Sequence, residues 1–234
     1  MASPRYEELV EQLAILRNHL LPAEFDPTGL YDDAGAISTK ALAFRVLAHA
    51  EVESFFEDRA LETVSQARAA WLKRRYVSRT VLCLLGFSGR AMEEPPSTLQ
   101  APSENKRKAW PELIDISERI APIIAAFHHF VRNENHGIKE KNLLSLLIPI
   151  GVDHRRIDPA FLADMESFGA LRGVAAHTST RTVVRQGLNP ADELKRVEAL
   201  LNGIAALDSE INNLLADVPA DEPLVAAEVA PVLQ

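Results

Sequence analysis

One short segment, Leu171 to His177, contains the two side chains best suited to chemistry. Arg172 carries a permanent positive charge on a planar guanidinium group, which matches the oxygens of a phosphate. His177 carries an imidazole, whose unperturbed pKa lets it accept and donate protons near neutrality. The pair is the minimum needed to cleave a ribose–phosphate bond without a metal: the histidine moves protons while the arginine stabilises charge on the phosphate.

The spacing of Arg172 and His177 sets a geometric condition. Five positions on an ideal helix correspond to a rotation of about 140° at 3.6 residues per turn, so the two side chains would lie on different faces of one straight helix. They converge if the helix ends or loosens near Gly173, or if a second copy of the site faces the first across a two-fold axis. In the second arrangement, one histidine would act as the base and the other as the acid.

The elements that must position this pair are predicted to be helices. Of the 234 residues, 47% are hydrophobic but only 6% aromatic, and there are 10 glycines, a balance that favours helices over a β-sandwich or barrel. Apolar residues recur at three- and four-residue spacing along most of the chain. Helices are predicted at Arg5 to Leu20, Ser38 or Thr39 to Leu85, Trp110 to Val131 with a kink at Pro122, Ile138 to Ile148, Pro159 towards His177, and Pro190 to Ala216.

These patterns predict one all-α domain of about six or seven helices, with an accessory N-terminal part. Residues 1–37 are predicted to form that N-terminal helix and loop, residues 38–216 the helical domain, and residues 217–234 a disordered tail. A proline-rich surface loop is predicted at 90–109. Thr182 to Val184 is the one stretch with a weak strand pattern, and Thr178 to Arg181 is typical of a turn.

Charge and composition narrow the possible functions. The net charge of −8 argues against a broad basic surface for nucleic acids, although a small cationic pocket remains possible. Cys83 is the single cysteine, which excludes a disulfide framework, and we expect it to be buried. No signal-peptide pattern and no apolar run of about 18 residues is present, so we expect a cytoplasmic protein outside the membrane. Without an HExxH motif, paired cysteines or a glycine-rich phosphate loop, no metal and no cofactor is predicted.

Four blocks of sequence occur in an order that resembles a known family. They are Phe44 to Glu53, Asn133 to Lys139, Asn142 to Leu144, and Arg172 to His177. The last block matches an R-x(4 to 6)-H motif with small or apolar residues between the two ends. The chain thereby resembles the HEPN domain family over about Ala41 to Leu215, with a gap at the proline-rich loop, and is most like its RiboL-PSP-HEPN branch.

This resemblance implies a HEPN-like up-and-down helical bundle that acts as a metal-independent endoribonuclease. Such proteins are usually homodimers and often serve as toxins or phage-defence effectors, so a cognate antitoxin or another defence component is an expected partner. Arg172 and His177 would form the catalytic pair acting on RNA. Active members often carry Asn, Asp or His directly after the arginine, where this chain has Gly173. Asn135, His136 or Glu51 could supply the polar group instead.

Each of these supporting residues also has a purely structural interpretation. Asn135, His136 and Gly137 form a good helix-ending sequence, and Glu51 could be solvated on a polar helix face. His49 and His128 lie among apolar residues and are expected to be hydrogen-bonded core histidines. Two other functions therefore stay open: a non-catalytic HEPN-like module that binds a nucleotide or a partner protein, and a dimerisation scaffold built on the Asn189 to Ala216 helix.

Overall fold

The computed structural model describes residues 2–90, 94–177 and 188–219, and the side chains of all of these except 174–177. Within these ranges the chain is all-helical, with eight α-helices and no strand, so the predicted fold class is confirmed. The helices are α1 (Pro4–Leu20), α2 (Ala34–Arg74), α3 (Arg79–Phe87), α4 (Trp110–Ile114), α5 (Ile116–Asn133), α6 (Glu140–Ile150), α7 (Pro159–His177) and α8 (Pro190–Ala216).

The long helix α2 is the element on which the others pack. Its 41 residues extend for about 60 Å at 1.5 Å per residue. It begins after Asp33, whose carboxylate accepts the backbone N–H of Ala36 at 2.8 Å, so the predicted cap at Ser38 or Thr39 is wrong. Ser38 is instead buried one turn inside the helix. Contacts from α1, α3, α5, α6, α7 and α8 all reach α2, so it forms the centre of the bundle.

Two helices predicted as continuous are each divided by a local cap. The predicted run from Ser38 to Leu85 stops at Arg75, which takes a left-handed conformation with φ of 56°, and α3 starts after Ser78, whose hydroxyl accepts the N–H of Val81. Asp115 divides the predicted Trp110 to Val131 helix in the same way, because its carboxylate accepts the N–H of Ser117 at 2.8 Å. Pro122 lies inside α5 without ending it.

The N-terminal helix is joined to the rest of the bundle by burial and by hydrogen bonds. Leu9 and Leu13 lie in the same core as the apolar faces of α2 and α8. Ser3 donates from its backbone N–H and from its hydroxyl to the two carboxylate oxygens of Asp208 in α8, both at 2.7 Å. These two buried hydrogen bonds hold the start of α1 against α8.

Several predicted features fall at the edges of the described ranges. Within the predicted proline-rich loop, residues 94–109 contain one 3₁₀ turn, Glu104–Lys106, in an otherwise irregular segment. The predicted turn at Thr178, the weak strand pattern at Thr182 and the tail from residue 220 lie outside the described residues.

Cys83 is half-buried, not buried as expected. In the part of the chain that is described, no helix combines the length and the apolar character needed to span a membrane.

Candidate functional site around Arg172

The helix that carries the arginine–histidine pair has no break. α7 begins at Pro159 and continues through Gly173 to His177. Of the two ways in which Arg172 and His177 could converge, a helix that ends at Gly173 is therefore excluded. The second way, in which two copies of the site face each other across a two-fold axis, stays a prediction. The side chain of His177 lies outside the described side chains.

Arg172 is half-buried on the side of α7 that faces α2. Phe168, one helical turn earlier, brings its ring to 5.8 Å from the imidazole of His49 on α2, measured between ring centres. Because positions four apart share a helix face, Arg172 lies over the same part of α2. At this position the positive charge of Arg172 acts on His49 and contributes, after burial, to lowering its pKa.

His49 is a buried and neutral histidine. Only 2% of it is exposed, and its Nδ1 atom makes no hydrogen bond. Burial, followed by the charge of Arg172, lowers the pKa of His49 to about 4. Oε2 of Glu53 lies 3.5 Å from Nδ1, but at neutral pH the imidazole carries no charge, so this contact is not an ion pair. The expected hydrogen-bonded core histidine is thus buried but lacks a partner for Nδ1.

A network of polar side chains next to His49 fixes the loop between α5 and α6. Glu53 accepts the backbone N–H of Gly137 through Oε1, and Glu57 accepts Nδ2 of Asn135 at 2.9 Å. The Oδ1 atom of Asn135 accepts Nδ2 of Asn142 at 3.2 Å. Gly137 has a φ of 127°, a conformation that a side chain would strain, which explains the glycine here.

The carboxyl group of Glu57 is affected by this enclosed position. Burial is the largest cause that raises its pKa, and the neighbouring charge of Glu53 raises it further, while the hydrogen bond from Asn135 opposes the change. Glu53 and Glu57 are one helical turn apart on α2, as are His49 and Glu53. The three side chains therefore form one row facing the loop and α7.

The predicted supporting residues occupy different surroundings. Asn135 is 4% exposed and both ends of its amide are engaged within the loop network, whereas His136 is exposed. Glu51 is half-buried but lies two positions from both His49 and Glu53, which is about 200° around the helix. Asn135 therefore belongs to the network around Glu53 and Glu57, and Glu51 lies on another face of α2.

Sequence reasoning did not single out the row formed by His49, Glu53 and Glu57 as one unit. Its signal was available, since positions i, i+4 and i+8 share a helix face. Glu51 carries the same charge as its neighbours, and only the packing of α2 shows which carboxylates face the loop. Among the described residues, no group of three or more His, Cys, Asp or Glu side chains is placed to hold a metal ion.

α7 also contacts Lys139, directly before α6. Nζ of Lys139 lies 3.5 Å from Oε1 of Glu166, and Gly169 approaches Lys139 so closely that a Cβ atom there would contact its side chain.

Comparison of the chain with models of known protein families, with curated proteins and with solved structures found no match. Support for a function therefore comes from the arrangement of side chains around Arg172.

Proposed function

We propose that this chain is a metal-independent endoribonuclease whose catalytic pair is Arg172 and His177, completed by a second copy of the chain. The observation that supports the proposal is the position of Arg172, half-buried on α7 and close enough to α2 for its charge to act on His49. Among the described residues, Arg172 has no ion-pair partner, whereas Arg45 and Arg59 are paired with buried carboxylates. An unpaired guanidinium at a helix junction is available for a phosphate.

The chemistry follows from the roles of the two side chains. The imidazole of His177 takes the proton of a ribose 2′-hydroxyl, and the oxygen attacks the adjacent phosphorus. Arg172 donates hydrogen bonds to the phosphate oxygens as their negative charge grows. The bond to the 5′-oxygen breaks, and that oxygen receives a proton from the histidine of the second copy. The products are a 2′,3′-cyclic phosphate and a free 5′-hydroxyl group.

The uninterrupted course of α7 favours the dimeric version of this reaction. On an ideal helix, positions 172 and 177 are about 140° apart, so a second copy of the chain is the simpler source of the complementary group. In a homodimer, the histidine of the second copy can face Arg172. We also propose that the protein is a cytoplasmic toxin or phage-defence effector, controlled by a cognate antitoxin or another defence component. This part of the proposal follows from its resemblance to HEPN proteins.

The test is cleavage of structured and unstructured RNA in excess EDTA by the native chain, Arg172→Ala and His177→Ala. Arg155→Ala is the matched control, because Arg155 is an exposed arginine paired with Asp153. We expect both site variants to lose at least about a hundredfold in rate, a typical effect of losing one acid–base group or charge stabiliser. The control should keep the native rate. Equal cleavage by the native chain and His177→Ala, or products that end in a 3′-hydroxyl, would refute the proposal.

A second candidate function is a non-catalytic module that binds a nucleotide or a partner in the same place. Gly173 favours it, because no side chain stands where active HEPN proteins often have a polar one. A Cβ atom built at Gly173 meets no atom of the described residues within 4 Å, so these residues leave space for such a side chain. RNA binding without cleavage by the native chain, together with gain of cleavage in Gly173→Asn, would select this function.

A further inference from the structure

A long groove lies between α3, α5 and α6, and none of the residues of the proposed catalytic pair lines it. Its volume is about 950 Å³, which is within the range of pockets that hold small organic molecules. The floor is apolar and contains Leu84, Phe127, Leu144 and Ile148. Phe87 stands at its edge with 63% of its surface exposed. An apolar surface of this size left open to water indicates a binding site.

The packing of the three helices gives this groove a polar end and an apolar end. Gly151, directly after α6, lies against Arg79 and Cys83 at the start of α3, so α3 and α6 are antiparallel. The end of α3 is therefore close to the start of α6. α5 leads into α6 through the loop of residues 134–139, so the end of α5 lies there too.

The lining residues follow this arrangement. From the course of the helices, the lining residues expected at the polar end are Ser88, Arg90, Glu140, Lys141 and Glu166, and those expected at the opposite end are Pro122, Ile148 and Pro149. A molecule that fits both ends carries one polar head and an apolar tail.

The charges at the polar end favour an anionic head. The negative charge of Glu166 is balanced by Lys139, whose Nζ lies 3.5 Å from Oε1. The other carboxylate oxygen, Oε2, accepts the backbone N–H of Glu140. Among the described residues, neither Arg90 nor Lys141 has an ion-pair partner. Two cations then stand against the single carboxylate of Glu140, and the first turn of α6 adds partial positive charge.

We propose that this groove binds a soluble monocarboxylate with an unbranched apolar tail, that is, a molecule of the medium-chain fatty acid class. The carboxylate lies between Arg90 and Lys141, and the tail follows α6 towards Pro149. α6 rises about 12 Å between Lys141 and Pro149 at 1.5 Å per residue, so a tail of about ten carbons covers the apolar floor. This inference does not depend on the proposed ribonuclease activity.

The experiment is calorimetric titration of the full chain with dodecanoate below its micelle concentration, with dodecanol and dodecyltrimethylammonium as comparison ligands. We expect one site per chain, and a rise of the melting temperature with dodecanoate as mass action requires. Dodecanoate should bind at least about tenfold more tightly than the cationic ligand, a difference of about 1.4 kcal/mol.

Two kinds of variant locate the site. Ala126→Trp fills the groove from its exposed wall, and Ala125→Trp is the matched control, because Ala125 is an exposed neighbour that does not line the groove. The first should weaken dodecanoate binding at least about tenfold and the second less than about twofold. The double variant Arg90→Glu with Lys141→Glu should weaken dodecanoate but not dodecanol, with the exposed Lys106→Glu as its control.

Circular dichroism and thermal melting check that each variant is folded, and the charge variant tests the site without any change in packing. Absence of saturable binding to the native chain would overturn the inference, as would native affinity in both Ala126→Trp and the charge variant. Equal affinity for dodecanoate and dodecyltrimethylammonium would also overturn it. Self-association of the native chain that Ala126→Trp abolishes, without dodecanoate binding, would assign the groove to a second copy instead.

Discussion

His49 on α2 and Arg172 on α7 are held together at the junction of the two helices, and the arginine charge contributes to the low pKa of the histidine. The ring of Phe168 covers His49 from the same side as Arg172. A cation placed beside a buried imidazole keeps that imidazole neutral at physiological pH. The pair thus provides a measurable link between the folding of the bundle and the position of the proposed catalytic arginine.

The first prediction concerns pH. The pKa of His49 is about 4 in the folded chain, below its unfolded value of about 6.5, so the unfolded chain binds more protons between these values. The contribution of His49 to the free energy of unfolding is therefore complete above pH 6.5 and is lost as the pH falls towards 4. At 1.36 kcal/mol per pKa unit the loss due to His49 is about 3 kcal/mol.

Urea unfolding at pH 7.5 and pH 4.5 measures this loss, and His49→Gln should remove it. The pKa of His128 is also lowered, by burial first, and acts in the same direction, while the raised pKa of Glu57 acts in the opposite direction. The difference between native chain and variant isolates His49. In Arg172→Ala, the pKa of His49 followed by NMR should rise only in part, because burial is the larger cause. A native pKa near 6.5 would contradict this account.

The second prediction concerns the ion pair that joins α2 to α8. Arg45 donates to both carboxylate oxygens of Glu193, from Nε at 2.7 Å and from Nη2 at 2.6 Å, and both side chains are buried. Glu193→Ala leaves the guanidinium buried without a partner and should destabilise the chain by about 3–5 kcal/mol. Replacing both residues, as Arg45→Met with Glu193→Leu, should recover most of that stability.

Chemical denaturation compares the single and double variants with Arg155→Ala, which removes the ion pair between the exposed Arg155 and Asp153. That control should leave the denaturation midpoint nearly unchanged, since exposed pairs are screened by water. A single variant as stable as the native chain would show that Glu193 does not compensate Arg45.

The third prediction contrasts two helical glycines. A Cβ atom at Gly173 meets nothing within 4 Å, whereas one at Gly203 in α8 would overlap the ring of Phe161. Gly173→Ala should stabilise the chain by about 0.5–1 kcal/mol, because alanine is the better helix former. Gly203→Ala should instead destabilise it by about 1–3 kcal/mol through overpacking. Melting temperatures of the two variants test the contrast, and a shift of the same sign in both would disprove it.

The fourth prediction concerns the loop between α5 and α6. Asn135→Ala removes both the donor to Glu57 and the acceptor for Asn142, and should cost about 1–3 kcal/mol because buried groups lose their partners. His136→Ala, at the exposed neighbouring position, should change stability by less than about 0.5 kcal/mol. Amide exchange at Gly137 should become faster only in the first variant. Equal exchange in both would show that Asn135 does not anchor the loop.

Parts of the fold were readable from local signals. Ser3 with Pro4, Asp158 with Pro159, and Asn189 with Pro190 each mark a helix start that the structure has at that place. The reason is that caps and prolines act within one turn of the chain. Asp33 and Asp115 act by the same mechanism, but without a following proline their signal was not distinguished from that of other polar residues.

The sequence by itself determined the helical class, most of the helix limits, and the presence of Arg172 and His177 five positions apart. Only the tertiary structure decided which buried residue lies close to Arg172. His49 lies more than a hundred residues before Arg172, and the two are close because α7 packs on α2. Burial and long-range charge, which keep His49 neutral at physiological pH, depend on distances in space that spacing along a chain does not contain.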